Sequence, residues 1–78
     1  MTAAAMFSEL GFYLVCEPGM IRYVFRSNQL CGHIVFYVET KEYKVWTTQS
    51  STGPRYGNMV CPEWHMAITK QLEELGWI

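Results

Sequence analysis

The sequence contains no Asp, and all seven of its acidic residues are Glu. Calcium-binding loops and the phosphoryl-transfer sites of kinases depend on Asp carboxylates, so the absence of Asp argues against both. No Gly-rich phosphate loop is present either, because the glycines at positions 53 and 57 belong to a group of turn residues without P-loop spacing. Neither kind of chemistry is expected of this chain.

Cysteine and basic residues are also few. The three cysteines, Cys16, Cys31 and Cys61, are an odd number at wide spacing, which does not form a disulfide framework. We therefore expect reduced thiols in a cytoplasmic protein.

Six Lys and Arg residues against seven Glu residues give a net charge of -1. Dedicated DNA-binding modules usually carry a clear basic excess, so that class of protein is disfavoured.

Long hydrophobic runs are absent. The longest apolar runs have five residues, at positions 12–16 and 34–38, whereas a transmembrane helix needs about 20. No basic segment precedes an apolar run near the start, so we expect neither a signal peptide nor a membrane partner. Aromatic residues are by contrast plentiful, with three Trp, five Tyr and four Phe. Each can bury roughly 150–250 Å², so residues 1–78 can form a single domain without a cofactor.

Residues 31–48 predict a β-hairpin, in which two runs of β-branched and aromatic residues are joined near residues 39–42. Side chains alternate between the two faces of a strand. Placing Val38 opposite Tyr43 therefore gives one apolar face that includes Phe36, while Tyr37 and its neighbours lie on the other. A four-residue loop is favoured, because a two-residue loop would set two Glu side chains against each other.

The rest of the chain predicts two helices and two further strands. Thr2 can cap a helix over residues 2–10, and Pro62 suits the first turn of a helix over residues 62–75 that Gly76 ends. Strands are predicted at 12–16 and 20–26, joined by a turn centred on Pro18 and Gly19. Residues 49–60 show neither the helix nor the strand periodicity of apolar residues. The plainer interpretation is a connecting loop, although loops of this length are often functional.

These elements give an α+β fold of the order α-β-β-β-β-α, an antiparallel meander with both helices on one face. Helices of this length can cover only one face of four strands. We assign to the covered face Ile21, Tyr23, Phe25, Ile34, Phe36, Val38, Tyr43 and Val45. The opposite face then presents Arg22, Val24, Arg26, Val35, Tyr37, Lys44 and Trp46. It is either a solvated face, with long side chains lying over the rings, or a binding surface.

The opening FSELGF, the meander and the ending ITKQLEELGWI resemble small proteins encoded by phages and prophages. Many of these have a short N-terminal helix, a meander and a final helix that ends L-x-x-L-G-W. The resemblance implies an α+β fold, a mobile-element origin and the cytoplasm of a bacterial host. It implies no functional residues, and Cys61 departs from the Thr or Ser that often caps the final helix.

Two Cys–His pairs could carry chemistry. Cys31 and His33 share a strand face, Cys61 and His65 share a helix face, and four such ligands can in principle surround zinc. The pattern has no C-x-x-C pair, so we expect no metal. A thiolate at the helix N-terminus next to His65 could act as a nucleophile. No third orienting residue is indicated by spacing, and we therefore expect no enzymatic activity.

Three functions remain open, in this order. The first is a non-enzymatic binding protein that acts through protein–protein interaction, its partner being a host or defence protein, as the resemblance implies, or a second copy of the chain. The second is a single-stranded nucleic-acid binder that stacks bases on exposed aromatics. The third is a small enzyme or redox protein using Cys61. The predicted partner-binding residues are Arg22, Arg26, Tyr37, Lys44 and Trp46, with Arg55 and Tyr56 of the loop as further candidates.

Overall fold

The protein folds into a five-stranded antiparallel sheet with two helices. Its computed structural model describes residues 1–49, 55–57 and 60–78. The strands lie side by side in chain order, so the sheet is a meander. The predicted α+β class is confirmed. The elements are α1 (Ala3–Glu9), β1 (Phe12–Glu17), β2 (Met20–Arg26), β3 (Leu30–Tyr37), β4 (Glu42–Gln49), β5 (Arg55–Gly57) and α2 (Pro62–Glu74).

Strand β5 lies where the sequence predicts only a loop. Its residues pair with the end of β4, Gly57 with Thr47 and Arg55 with Thr48, and the register is irregular between the two pairs. A strand of three residues is too short to produce an alternation pattern, and pairing with β4 is what defines it. Residues 50–54 and 58–59 of the predicted loop lie outside the described residues.

Helix α1 begins and ends where the sequence predicts. The Thr2 hydroxyl accepts a hydrogen bond from the Ala5 amide at 3.1 Å, which satisfies one of the free N–H groups of the first turn. Gly11 follows the helix with a φ of 93°, a conformation that favours glycine. Seven residues do not form a stable helix alone. Helix α1 therefore depends on packing, which its fully buried Phe7 provides.

Helix α2 ends in a Schellman motif that returns the chain to the core. Gly76 has a φ of 74°, and the Trp77 amide donates to the Leu72 carbonyl at 2.9 Å, as this motif requires. The turn places the Trp77 ring 6.3 Å from that of Phe36, measured between centroids. At the other end, Trp64 lies over β3, where a Cβ on the buried Gly32 would come within 3.3 Å of the indole. The missing side chain at Gly32 thus allows α2 to approach the sheet.

The central hairpin keeps the predicted faces but not the predicted register. Val38 does not pair with Tyr43, because the pairs are Phe36 with Tyr43 and Tyr37 with Glu42. The predicted alignment was wrong by two residues, and a shift of two returns every side chain to the same face. The Val38 amide instead donates to the Gly19 carbonyl at 3.0 Å, which extends β3 along β2. The loop has the predicted four residues, but they are residues 38–41.

Both helices pack on a single sheet face, as predicted. The buried cluster joins side chains of α1, α2 and the sheet: Phe7, Phe12, Tyr23, Ile34, Phe36, Ala67 and Ile68. Two residues that were assigned to this core are in fact exposed. Tyr43 is 44% exposed and Val38 is 43% exposed, because both lie at the turn end of the central hairpin, where Tyr43 pairs with Phe36 and Val38 begins the loop.

Replacing Phe36 with Ala is expected to lower the free energy of unfolding by about 3–5 kcal/mol, because the fully buried ring leaves a cavity in the core. Tyr43→Ala is the matched control. It removes a neighbouring ring, 5.6 Å away, that is half exposed, and should cost no more than about 1 kcal/mol. Urea titrations measure both, and equal losses would contradict this core.

Candidate functional site

The candidate site is the sheet face opposite the two helices, here called the second face. Register and alternation place on it the following residues: Tyr13, Val15, Glu17, Met20, Arg22, Val24, Arg26, Cys31, His33, Val35, Tyr37, Glu42, Lys44, Trp46 and Thr48. The five residues predicted to bind a partner from strands β2, β3 and β4 all lie here. The structure therefore brings together Arg22, Arg26, Tyr37, Lys44 and Trp46 on one surface.

The centre of the second face is buried, which corrects the expectation that it is presented to solvent. Val35 is only 1% exposed, and Val24 is also buried. Val35 is paired with Arg22 on one side and Lys44 on the other, so a long side chain flanks it on each neighbouring strand. Such side chains cover apolar surface with their methylene groups while their charges stay in water. The valines are thus part of the fold, and the residues around them form the surface.

Two aromatic residues of the second face, Trp46 and Tyr37, each have a neighbour on one ring face. Trp46 stacks on the imidazole of His33, with centroids 4.9 Å apart and planes 14° from parallel. The Lys44 ammonium lies 5.7 Å from the centre of the Tyr37 ring, within range of a cation–π interaction. Both rings are half-buried. They are held in fixed positions, and only part of each ring is open to a partner.

The second face carries charges of both signs. The Arg22 guanidinium lies 3.4 Å from the Glu17 carboxylate and 3.6 Å from the Met20 sulfur. Arg26 is exposed at the opposite end of β2. Glu42 is paired with Tyr37 across the central hairpin, next to Lys44 along its own strand. Three basic residues thus share the face with two acidic ones, and the face is not a continuous basic patch.

Two further predicted binding residues, Arg55 and Tyr56, lie in β5 rather than in a loop. Their backbone continues the sheet beside β4, and their side chains lie outside the described residues. The structure thus brings them to the same sheet as the second-face residues, at its other edge from β1.

The four Cys and His residues considered for zinc do not come together. The Cys31 sulfur lies 3.3 Å from Nε2 of His33 on the second face. Cys61 and His65 are exposed on α2, which covers the opposite face. Over residues 1–49, 55–57 and 60–78, no three His, Cys or Glu side chains are grouped as metal ligands. Cys61 is the N-cap residue of α2, where its exposed side chain makes no capping hydrogen bond.

Sequence reasoning missed a buried polar contact under the helices. The Tyr23 hydroxyl donates to Oε1 of Gln71 at 2.6 Å, and the Ala3 amide donates to Oε2 of Glu74 at 2.8 Å. Burial raises the pKa of Tyr23 from 10.0 to about 12, and the charges of Glu74 and Cys16 add to the rise. A signal was present in the sequence, since Gln71 is a polar residue within the apolar stripe of α2.

Tyr23→Phe is expected to destabilise the protein by about 1–3 kcal/mol, because the buried Gln71 loses its hydrogen-bond donor. The effect should depend on pH in one direction. Between pH 10.0 and about 12 the unfolded wild type releases the Tyr23 proton while the folded wild type keeps it, so wild-type stability falls as pH rises through this window. Below this pH window the difference in free energy of unfolding between wild type and Tyr23→Phe should be constant. Within the window this difference should shrink.

Urea unfolding of both proteins across this pH range measures the difference, and the shared titration of the remaining Tyr and Lys residues cancels in the comparison. A difference that grew above pH 10.0 would contradict the raised pKa.

None of the described helices is long and apolar enough to cross a membrane. The chain matches no known family, no curated protein and no solved structure. The resemblance to small phage and prophage proteins therefore stays a prediction, and the functional interpretation depends on the geometry of the second face.

Proposed function

We propose that this protein is a non-enzymatic binding protein whose second face contacts a protein partner. The observation that carries the proposal is the ring of half-exposed side chains around the buried Val35. Arg22 and Lys44 flank this valine with positive charge on the neighbouring strands, and Tyr37, two residues along β3, adds aromatic area beside Lys44. Tyr, Trp and Arg are the residue types that contribute most energy at protein interfaces. Here they are fixed by their neighbours before binding, which lowers the entropy cost of association.

A protein partner fits this face better than a nucleic acid does. Base stacking needs an open ring face, and His33 already stacks on one face of Trp46. The guanidinium of Arg22 is engaged by Glu17, so one of the three cations is partly neutralised before any phosphate arrives. The acidic Glu42 adds repulsion. Mixed charges suit a protein surface, where complementary pairs set the register of the two partners.

The resemblance to phage and prophage proteins suggests where the partner would be found. The resemblance implies the cytoplasm of a bacterial host, and a host or defence protein is the partner class proposed here. The net charge of -1 gives little long-range repulsion against another protein surface. The proposal contains no catalytic step and no metal.

The test uses the double variant Tyr37→Ala/Lys44→Glu. These two side chains lie beside each other on the second face, where Tyr37 is half-buried and Lys44 is exposed. The wild type is first used to capture its partner from a bacterial lysate, and the affinity for the purified partner is then measured by calorimetry. The double variant should raise the Kd at least 10-fold, which is about 1.4 kcal/mol. Met66→Ala is the control, because Met66 is exposed on α2 on the other side of the sheet.

An unchanged Kd in the double variant, with a normal circular dichroism spectrum, would reject the second face as the binding surface. Retention of the wild type on heparin at low salt, lost in the double variant, would instead favour the nucleic-acid alternative. Trp46→Ala is a weaker test, because truncating this half-buried ring also removes its stacking on His33.

A further inference from the structure

The two edges of the sheet are built differently. At one edge, β5 has only three residues and pairs irregularly with β4. Short strands and bulges are the usual devices by which proteins keep sheet edges from pairing with other chains. At the other edge, β1 has six residues that pair with β2 in six consecutive register steps. It contains no Pro, Lys or Arg and no bulge, so it has none of these protective features.

The outward-facing backbone groups of β1 follow from the hydrogen bonds of the neighbouring strands. Ser27 N–H donates to Leu30 O at 2.8 Å and Val38 N–H donates to Gly19 O at 3.0 Å, and both pairs continue the β2–β3 register. Because alternate residues of a strand bond to opposite neighbours, the odd-numbered residues of β2 bond to β3.

The even-numbered residues of β2, Met20, Arg22 and Val24, therefore bond to β1, where they pair with Glu17, Val15 and Tyr13. The N–H and C=O groups of the intervening residues Phe12, Leu14 and Cys16 point away from the sheet. No residue in the described part of the chain pairs with them, since β1 is the outer strand.

The side chains along this edge are apolar and accessible at its centre. Leu14 is 45% exposed and Tyr13 is 46% exposed, so α1, which packs against Phe12 through Phe7, leaves the middle of the edge open. The one charge of the strand, Glu17, lies at its end and is engaged by Arg22. A regular edge that is uncharged at its centre and has outward-facing backbone groups is a template for another strand.

We propose that β1 pairs antiparallel with β1 of a second copy of this chain, across a two-fold axis that passes between the two Leu14 residues. In this register Phe12 lies opposite Cys16 of the other copy, and Leu14 lies opposite Leu14. All three outward residues of each strand then face outward residues of the other, which gives roughly six N–H···O bonds. Shifting the register by two residues in either direction loses one of these three residue pairs.

The self-pairing also suits the side chains. On the second face, Tyr13 lies opposite Val15 of the other copy, an aromatic and β-branched pair of the kind that stabilises sheets. Glu17 lies opposite Gly11 and not opposite another Glu17, so no like charges meet. The dimer would have one continuous sheet with both second faces on the same side. Its interface is at the small end of the range for specific complexes, so the dimer should dissociate on dilution.

Sedimentation velocity over a range of protein concentrations tests the proposal. The wild type should change from monomer to dimer as concentration rises. Leu14→Lys should remain a monomer at every concentration, because it sets two ammonium groups against each other at the two-fold axis. Met66→Lys should dimerise like the wild type, since Met66 is 61% exposed on α2, away from the edge. Circular dichroism confirms that each variant is folded, and if Leu14→Lys is not, Cys16→Lys replaces it at an exposed position on the same edge.

A wild type that stays monomeric at the highest concentration overturns the proposal, and so does a folded edge variant that still dimerises. The register is tested by Leu14→Cys in a chain whose exposed Cys16 and Cys61 are changed to Ser. Opposed residues of a hydrogen-bonded pair have Cα atoms about 5.5 Å apart, within reach of a disulfide. This variant should form a covalent dimer on mild oxidation, whereas Met66→Cys in the same background should not, and equal cross-linking of the two would reject the register.

Discussion

The packing of Phe7 against Tyr23 is the contact on which the rest of the structure depends. The two rings stack with centroids 3.9 Å apart, and the hydroxyl of Tyr23 bonds to Gln71 of α2. One side chain of β2 thus joins both helices to the sheet. Helix α1 is too short to persist unless it is docked, and α2 would leave a buried amide without its donor if Tyr23 moved. The free energy of unfolding of a domain this small is only about 4–12 kcal/mol, so the loss of this junction would remove a large share of it.

The junction also determines which surfaces remain for binding. Because both helices pack on the face that contains Tyr23, the second face carries its own side chains on its outer side, and Arg22 and Lys44 flank the buried Val35. The edge at β1 stays open at its centre, since Phe7 draws α1 toward Phe12 and Tyr23. In the two proposals made here, folding and binding use different parts of one sheet. The second face would present fixed side chains to a partner, whereas the edge would present backbone groups to another strand.

The sequence predicts the elements and the faces well, because both follow from local periodicity and from caps such as Thr2 and Gly76. It predicts the register of the central hairpin poorly, because the register depends on the bond from Val38 to Gly19, two residues in different hairpins. The burial of Val35 has the same origin, since neighbours on β2 and β4 provide it. The contact between Tyr23 and Gln71 joins residues 48 positions apart, and no local pattern could reveal its partner. The common face of Arg22, Arg26, Tyr37, Lys44 and Trp46 could be predicted, because period-two alternation alone determines which face a strand residue occupies.

Hydrogen exchange of the β1 amides tests most directly whether folding and association use different groups of the same strand. At low protein concentration the amides of Tyr13 and Val15, which bond to β2, should exchange slowly, and those of Leu14 and Cys16 should exchange fast. At high concentration Leu14 and Cys16 should become protected while Tyr13 and Val15 change little. Fast exchange at Leu14 and Cys16 at every concentration, or slow exchange of all four amides in the dilute monomer, would contradict this division of the sheet.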